Sequence, residues 1–217
     1  NVSTGITRTY TNELSFNISD KKMYYDSLGG KNAWNTNKYL NIWVANLDNL
    51  AGYSTFPGFP FPEQDGVVIH HEYFGDTGTV QFPFNKGRTT THEIGHWLNL
   101  IHIWGDMFCG DDFVNDTPTQ EEANFGCPAH PHVSCNNNGD MFQNYMDYSN
   151  DGCMNMFTIG QKNRMIITLD SIRNQLISCN NSCILPLEDA GIINLNISNN
   201  TQICDSEIQP IIEIKNF

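Results

Sequence analysis

The segment His92-Glu93-Ile94-Gly95-His96-Trp97-Leu98-Asn99-Leu100-Ile101-His102 restricts this chain more than any other feature of its sequence. Helical residues four apart share a face, so His92 and His96 can offer two imidazoles to one zinc ion. Glu93 lies beside them, where a carboxylate can serve as general base toward a water on that ion. His102 follows ten residues after His92. In an unbroken helix it would stand about 15 Å further along the axis and about 80° round it, out of reach of the same ion. A shared ion therefore requires the helix to stop and the chain to turn between His96 and His102. Asn99 is placed to make that turn, because Asn tolerates the left-handed conformation and is second to Gly at helix C-termini. The plainer alternative is a helix with solvent-facing histidines, which the third histidine at this offset disfavours.

Charge narrows the partners. Acidic residues outnumber basic ones, 24 to 11, for a formal charge of −13. No basic patch is available to displace counterions, so neither nucleic acid nor an anionic membrane is expected as a partner. The same acids offer oxygen ligands for a hard cation such as calcium. No apolar run approaches the ~18 residues a membrane span needs. The chain starts at Asn1 rather than Met and reads as a piece of a longer precursor whose leader lies outside it. Of seven cysteines, Cys109, Cys127, Cys135 and Cys153 fall in one stretch rich in Gly, Asn, Asp and Pro. Such a stretch builds little core of its own, and disulfides would staple it, which fits an exported, oxidising setting. Spacing leaves three pairings of those four open and says nothing of Cys179, Cys183 and Cys204.

Periodicity supplies the elements. Thr7–Thr11 alternates weakly as a strand; Tyr39–Leu47 alternates apolar and polar as a half-buried strand; Val67–His71 reads as another. Tyr53–Pro62 is rich in Pro and Gly and reads as a loop. Arg88–Leu98 has helical spacing. Residues 105–153 lack regular periodicity. Thr158-Ile159-Gly160-Gln161 is a capping box, and Met165, Ile166, Leu169, Ile172, Leu176 and Ile177 continue at helical spacing to about Ser178. From Leu187 the texture becomes strand-like. The chain thus divides into a domain over residues 1–183 and the truncated start of a β-sandwich-like module over 184–217. His70-His71 reads as strand-end side chains rather than a second metal site, and His130 and His132 as solvent-facing.

At this point the sequence resembles the metzincin metallopeptidases, whose signature is H-E-x-x-H-x-x-G-x-x-H followed by a Met-turn. Asn99 stands in the place of the glycine, and Asn144-Tyr145-Met146-Asp147-Tyr148 matches the Met-turn. Within that group it is similar to the pappalysin family. Further matching stretches include Asp65–Ile69, Gly87-Arg88-Thr89, His102-Ile103-Trp104-Gly105-Asp106, Val114–Pro118, Gly126-Cys127-Pro128 and Cys153–Gln161. The resemblance spans roughly residues 30–180.

The resemblance implies an α+β catalytic domain: a twisted mixed sheet and the active-site helix above a cleft, an irregular lower subdomain below it. It implies a secreted zinc endopeptidase acting on protein or peptide substrates. His92, His96 and His102 would bind zinc, Glu93 would be the general base, Met146 would floor the metal site, and Tyr148 would support the oxyanion. It also implies pairing of Cys109 with Cys135 and of Cys127 with Cys153. Structural calcium would be held by Asp112, the Val114 carbonyl and Thr117. Family members often favour Arg or Lys after the scissile bond through an acid just before the last loop cysteine. That position here is Gly152, leaving Asp151 as the candidate. Two alternatives stand beside this reading: an inactive binding or adhesion module stabilised by calcium and zinc, and a zinc hydrolase acting on something other than peptides.

Overall fold

The structure, a computed structural model, describes residues 5–177 and beyond them only the backbone strands Ile192–Leu195 and Ile212–Ile214. Cys179, Cys183 and Cys204 lie outside the described residues. The chain forms two compact units, one of Thr11–Ile177 and one combining Asn1–Tyr10 with Ser178–Phe217.

Three strands order the larger unit: β1 (Ile42–Ala45), β2 (Gly52–Ser54) and β3 (Val67–His70). β3 is central, parallel to β1 and antiparallel to β2, so the sheet is mixed. All four residues of β3 are buried, which is why its sequence is continuously apolar up to the histidine instead of alternating. Val68 packs on one side with Phe16, Met23, Tyr24, Trp43 and Leu47. Val67 and Ile69 face the other way, toward Trp97, Ile94 and Leu98 of the following helical segment. That helix, α1 (Arg88–Trp97), lies against β2 and β3. Its burial decides where His92, Glu93 and His96 stand.

The lower half is α2 (Ile159–Ser171), the short α3 (Asn174–Ile177) and a long irregular stretch before them. Disulfides join Cys109 to Cys135 and Cys127 to Cys153, each across 26 residues of sequence. On loop entropy each is worth about 3–4 kcal/mol, substantial for a region without ladders or helices. The capping box at α2 is complete: Thr158 Oγ1 accepts the Gln161 N–H at 3.0 Å, and Gln161 Oε1 accepts the Thr158 N–H at 2.9 Å. Gln161 also exchanges two hydrogen bonds with Asn144, at 2.7 and 3.1 Å, and so fastens the start of α2 to the segment carrying Met146 and Tyr148.

Three expectations require correction. The alternation at Thr7–Thr11 makes no strand; Tyr10, its one large apolar side chain, is exposed, so the segment has no face to bury. The Pro-rich loop starts later than its composition suggests, and Gly52–Ser54 pairs with β3 just before it. The helix after Thr158 stops at Ser171 instead of running on to Ser178, and it buries Gln161 and Thr168 while Ile166 and Ile172 stay exposed. In the other unit, β4 (Ile192–Leu195) and β5 (Ile212–Ile214) pair antiparallel. No helix among the described residues is long and apolar enough to cross a membrane.

Candidate metal centre

α1 ends in a turn that bends the chain back on itself. Leu100 N–H donates to Gly95 O at 2.9 Å and Asn99 N–H to His96 O at 2.8 Å, the hydrogen-bond pair of a Schellman motif. The motif requires its C′ residue in the left-handed region, and Asn99 sits there with φ 74°. Leu100, the next residue, is buried and anchors the turn. An Asn99→Ala chain should lose about 1–2 kcal/mol, the usual left-handed penalty for a residue with a Cβ, while Asn99→Gly should match or exceed the parent. Thermal unfolding of the three chains checks this order.

After the turn, His102 returns to α1. Its Nε2 lies 3.1 Å from His96 Nε2, and His92 Nε2 lies 3.1 Å from His96 Nε2 on the other side. Among the described residues these three form the one cluster of at least three His, Cys, Asp or Glu whose ligand atoms all fall within 4.8 Å. The opposite ring nitrogens settle the tautomers. His92 Nδ1 faces Tyr145 O at 2.7 Å, His96 Nδ1 faces Leu100 O at 2.8 Å, and His102 Nδ1 faces Asp106 Oδ1 at 2.5 Å. Each partner only accepts, so each Nδ1 carries the proton and each Nε2 directs a lone pair inward. Three converging lone pairs repel one another unless a cation sits among them. Burial, together with the neighbouring imidazoles, pushes His92 well below the ordinary imidazole range and His96 down to about 4, so both rings stay neutral.

Glu93 is buried beside this cluster, and burial pushes its carboxyl up to about 8, opposed in part by the Ser54 hydroxyl of β2. Below α1 lies Met146, wholly buried. Gly95 makes that approach possible, since a Cβ there would overlap the Met146 sulfur. Asp147 is buried as well; it accepts hydrogen bonds from Gln120 Nε2 at 2.9 Å, Asn124 N–H at 2.7 Å and Tyr148 N–H at 2.8 Å, which fixes the turn. Tyr148 stands with its ring 4.9 Å from His102 and 5.6 Å from His92. Burial, reinforced by Glu93, pushes its phenol up to about 12, so it keeps a proton to donate.

A second polar group sits away from the histidines. Thr117 Oγ1 lies 2.6 Å from both Asp112 Oδ1 and Val114 O, although a hydroxyl has one proton to give. Asp112 Oδ2 is buried with no hydrogen-bond partner. An oxygen cluster short of protons suits a hard cation.

Asp151 stands at the start of α1. It is buried, and its Oδ2 accepts Lys86 N–H at 2.6 Å and Arg88 N–H at 3.3 Å. The carboxylate caps the start of α1, where a helix dipole favours negative charge. His70 is held by Asn46 and by Glu72 N–H, and His71 by Thr79. His132 is half-exposed and paired with Asp140. Residues that sequence reasoning gave no role are Asp106, Asp147, Arg164 and Arg173. Asp106 had a signal, an acid four residues past the third histidine and just after a glycine. The arginines had none, because their partners lie more than 50 residues away.

Residues 23–170 match the family of M43 peptidases described as pregnancy-associated plasma protein-A. Similar curated proteins include extracellular metalloprotease 1 of Coccidioides posadasii, 40% identical over 135 residues, and an extracellular metalloprotease of Verticillium alfalfae, 39% identical over 142. Those matches take in 58% and 63% of this chain but 48% and 51% of the relatives, so the chain spans about half the length of the curated relatives it matches. Among solved structures, mirolysin in complex with compound 9 superposes with a TM-score of 0.78 at 49% identity, over 81% of this chain and 70% of that one. Mature mirolysin of Tannerella forsythia in complex with a cleaved peptide superposes with a TM-score of 0.77, also at 49% identity and over the same shares. With the histidine cluster, the glutamate and the methionine turn all inside the matched residues, the chain belongs to the pregnancy-associated plasma protein-A family of M43 peptidases, the pappalysins among the metzincins.

Proposed function

We propose that this chain carries the catalytic domain of a secreted zinc endopeptidase that cleaves protein or peptide substrates. The observation that carries the reading is the meeting of three Nε2 lone pairs beside a buried carboxylate. Relatives named as extracellular metalloproteases and a cleaved-peptide complex of mirolysin support it. We take the peptidase as residues 1–183, followed by the opening of a β-module over 184–217.

His92, His96 and His102 would hold the zinc. When bound it supplies Lewis acidity, polarising a carbonyl and bringing the pKa of a water toward neutrality. Glu93, kept as a carboxylate beside a positive charge, would take the proton of the attacking water and pass it to the leaving amine. Tyr148 donates its phenolic hydrogen to the oxyanion. β2 ends the sheet, and its outer edge is unpaired among the described residues, so it can receive an extended peptide by strand addition. Asp112, Val114 O and Thr117 would hold calcium and stiffen the irregular half. Neither nucleic acid nor membrane enters this reading.

Elemental analysis of the purified chain, with a casein cleavage assay, tests it. We expect about one zinc per chain, loss of cleavage on chelation with phenanthroline, and recovery when zinc is returned. Zinc bound without cleavage would instead support the inactive binding module, and cleavage indifferent to chelation would remove the metal from the mechanism.

A further inference from the structure

The three imidazoles are not held alike. His92 and His96 stand on α1 and give their Nδ1 protons to backbone carbonyls, Tyr145 O and Leu100 O. His102 lies beyond the helix, on a segment with no ladder to orient it. Its Nδ1 meets the one charged acceptor of the set, Asp106 Oδ1 at 2.5 Å.

The contact is built by a specific turn. Gly105 and Asp106 are consecutive left-handed residues, at φ 63° and 57°, and Gly105 N–H donates to His102 O at 2.9 Å. A Cβ at position 105 would collide with the Asp111 backbone, so only glycine fits. The turn folds the Asp106 side chain back toward the ring, while Trp104 stacks on the ring face at 4.3 Å between centroids and 6° between planes. One neighbour therefore sets the tilt of the imidazole and the other its rotation. The Asp106 side chain is otherwise largely exposed, at 57% of its area, so stability alone gives no reason for a left-handed residue with a side chain to bring it here.

We propose that Asp106 is a positioning residue of the metal centre, whose negative charge orients the His102 imidazole and strengthens its Nε2 as a donor to the cation. The inference rests on the zinc reading above. A carboxylate that accepts the Nδ1 proton draws positive charge toward that side of the ring and leaves more electron density on the opposite nitrogen. The carbonyls behind His92 and His96 do this weakly. Asp106 thus adds one full negative charge one ring away from an ion whose protein ligands are otherwise neutral.

Asp106→Asn separates charge from shape, because the amide oxygen can still accept the Nδ1 proton. The parent chain, D106N and D106E would be compared by zinc competition with a chromophoric chelator, by the visible absorption of their cobalt(II) forms, and by thermal unfolding after metal stripping. The parent is measured first, and its failure to bind zinc would refute the metal reading on which the inference rests. Given a zinc-binding parent, D106N should bind roughly 10–100-fold more weakly, the usual cost of losing an outer carboxylate, with D106E closer to the parent. The D106N cobalt bands should shift, and its metal-free unfolding temperature should equal the parent's. Zinc affinity of D106N within about threefold of the parent, well short of that cost, would overturn the proposal. So would unshifted cobalt bands, or a loss of metal-free stability large enough to account for the weaker binding.

Discussion

A Glu93→Gln chain is expected to bind zinc with the stoichiometry of the parent and to cleave casein about 10²- to 10⁴-fold more slowly, the usual contribution of a general base. Gln keeps the volume of Glu and removes only the group able to accept a proton. The three ligands are untouched: His92 and His96 keep their places on α1, and His102 its contact with Asp106. Folding should be unharmed, since burial disfavours charge at this position and pushes the Glu93 carboxyl up to about 8. A neutral amide costs less to bury there than a carboxylate. Loss of hydrolysis with zinc retained therefore isolates the proton transfer from the construction of the site. Hydrolysis at the parent's rate would remove Glu93 from the mechanism, and zinc lost along with activity would recast it as part of the scaffold.

The histidine cluster was legible because its logic is local. The helical offset of His92 and His96, and the need for a left-handed residue before His102, follow from helix geometry. The central strand was legible for the same reason, since Val67-Val68-Ile69 has few other fates next to a turn. β2 was not, because Gly52-Tyr53-Ser54 has no apolar alternation; its pairing depends on β3 lying alongside, and its glycine leaves room for Glu93. The contact of Asp151 with the start of α1 was hidden for a related reason. Sequence places an acid near Cys153 but cannot say which N–H groups it will face, and those turn out to be Lys86 and Arg88, more than 60 positions earlier. Periodicity also overstated the last helix, because the chain must leave it for Arg173 to turn toward partners in the sheet half.

Those partners make Arg173 the second position where a single change should have a large effect. Its guanidinium forms two hydrogen bonds to Asp65, at 2.7 and 3.0 Å, donates through Nε to Trp97 O at 3.0 Å, and lies 3.8 Å over the Trp97 ring. Both charged side chains are largely buried, at 8% and 13% exposure. Asp65 also accepts from Thr55 Oγ1 at 2.8 Å, just after β2, so one arginine joins the helical end of the lower half to the sheet and to the last turn of α1. Arg173→Ala leaves the Asp65 carboxylate without its counter-charge, with the Thr55 hydroxyl still donating to it, and the Trp97 carbonyl without the Nε donor, where water has poor access. Such a loss costs about 3–5 kcal/mol, or roughly 6–20 °C in Tm for a chain of this size. An Asp65→Asn, Arg173→Met double variant should recover much of it, because neither buried charge then remains and methionine still covers the Trp97 ring. Thermal unfolding of parent, single and double variants, with disulfides intact, measures this. Equal destabilisation in the single and double variants would show that the unpaired carboxylate is not the source of the loss, while a single variant as stable as the parent would mean the two halves hold together without the arginine.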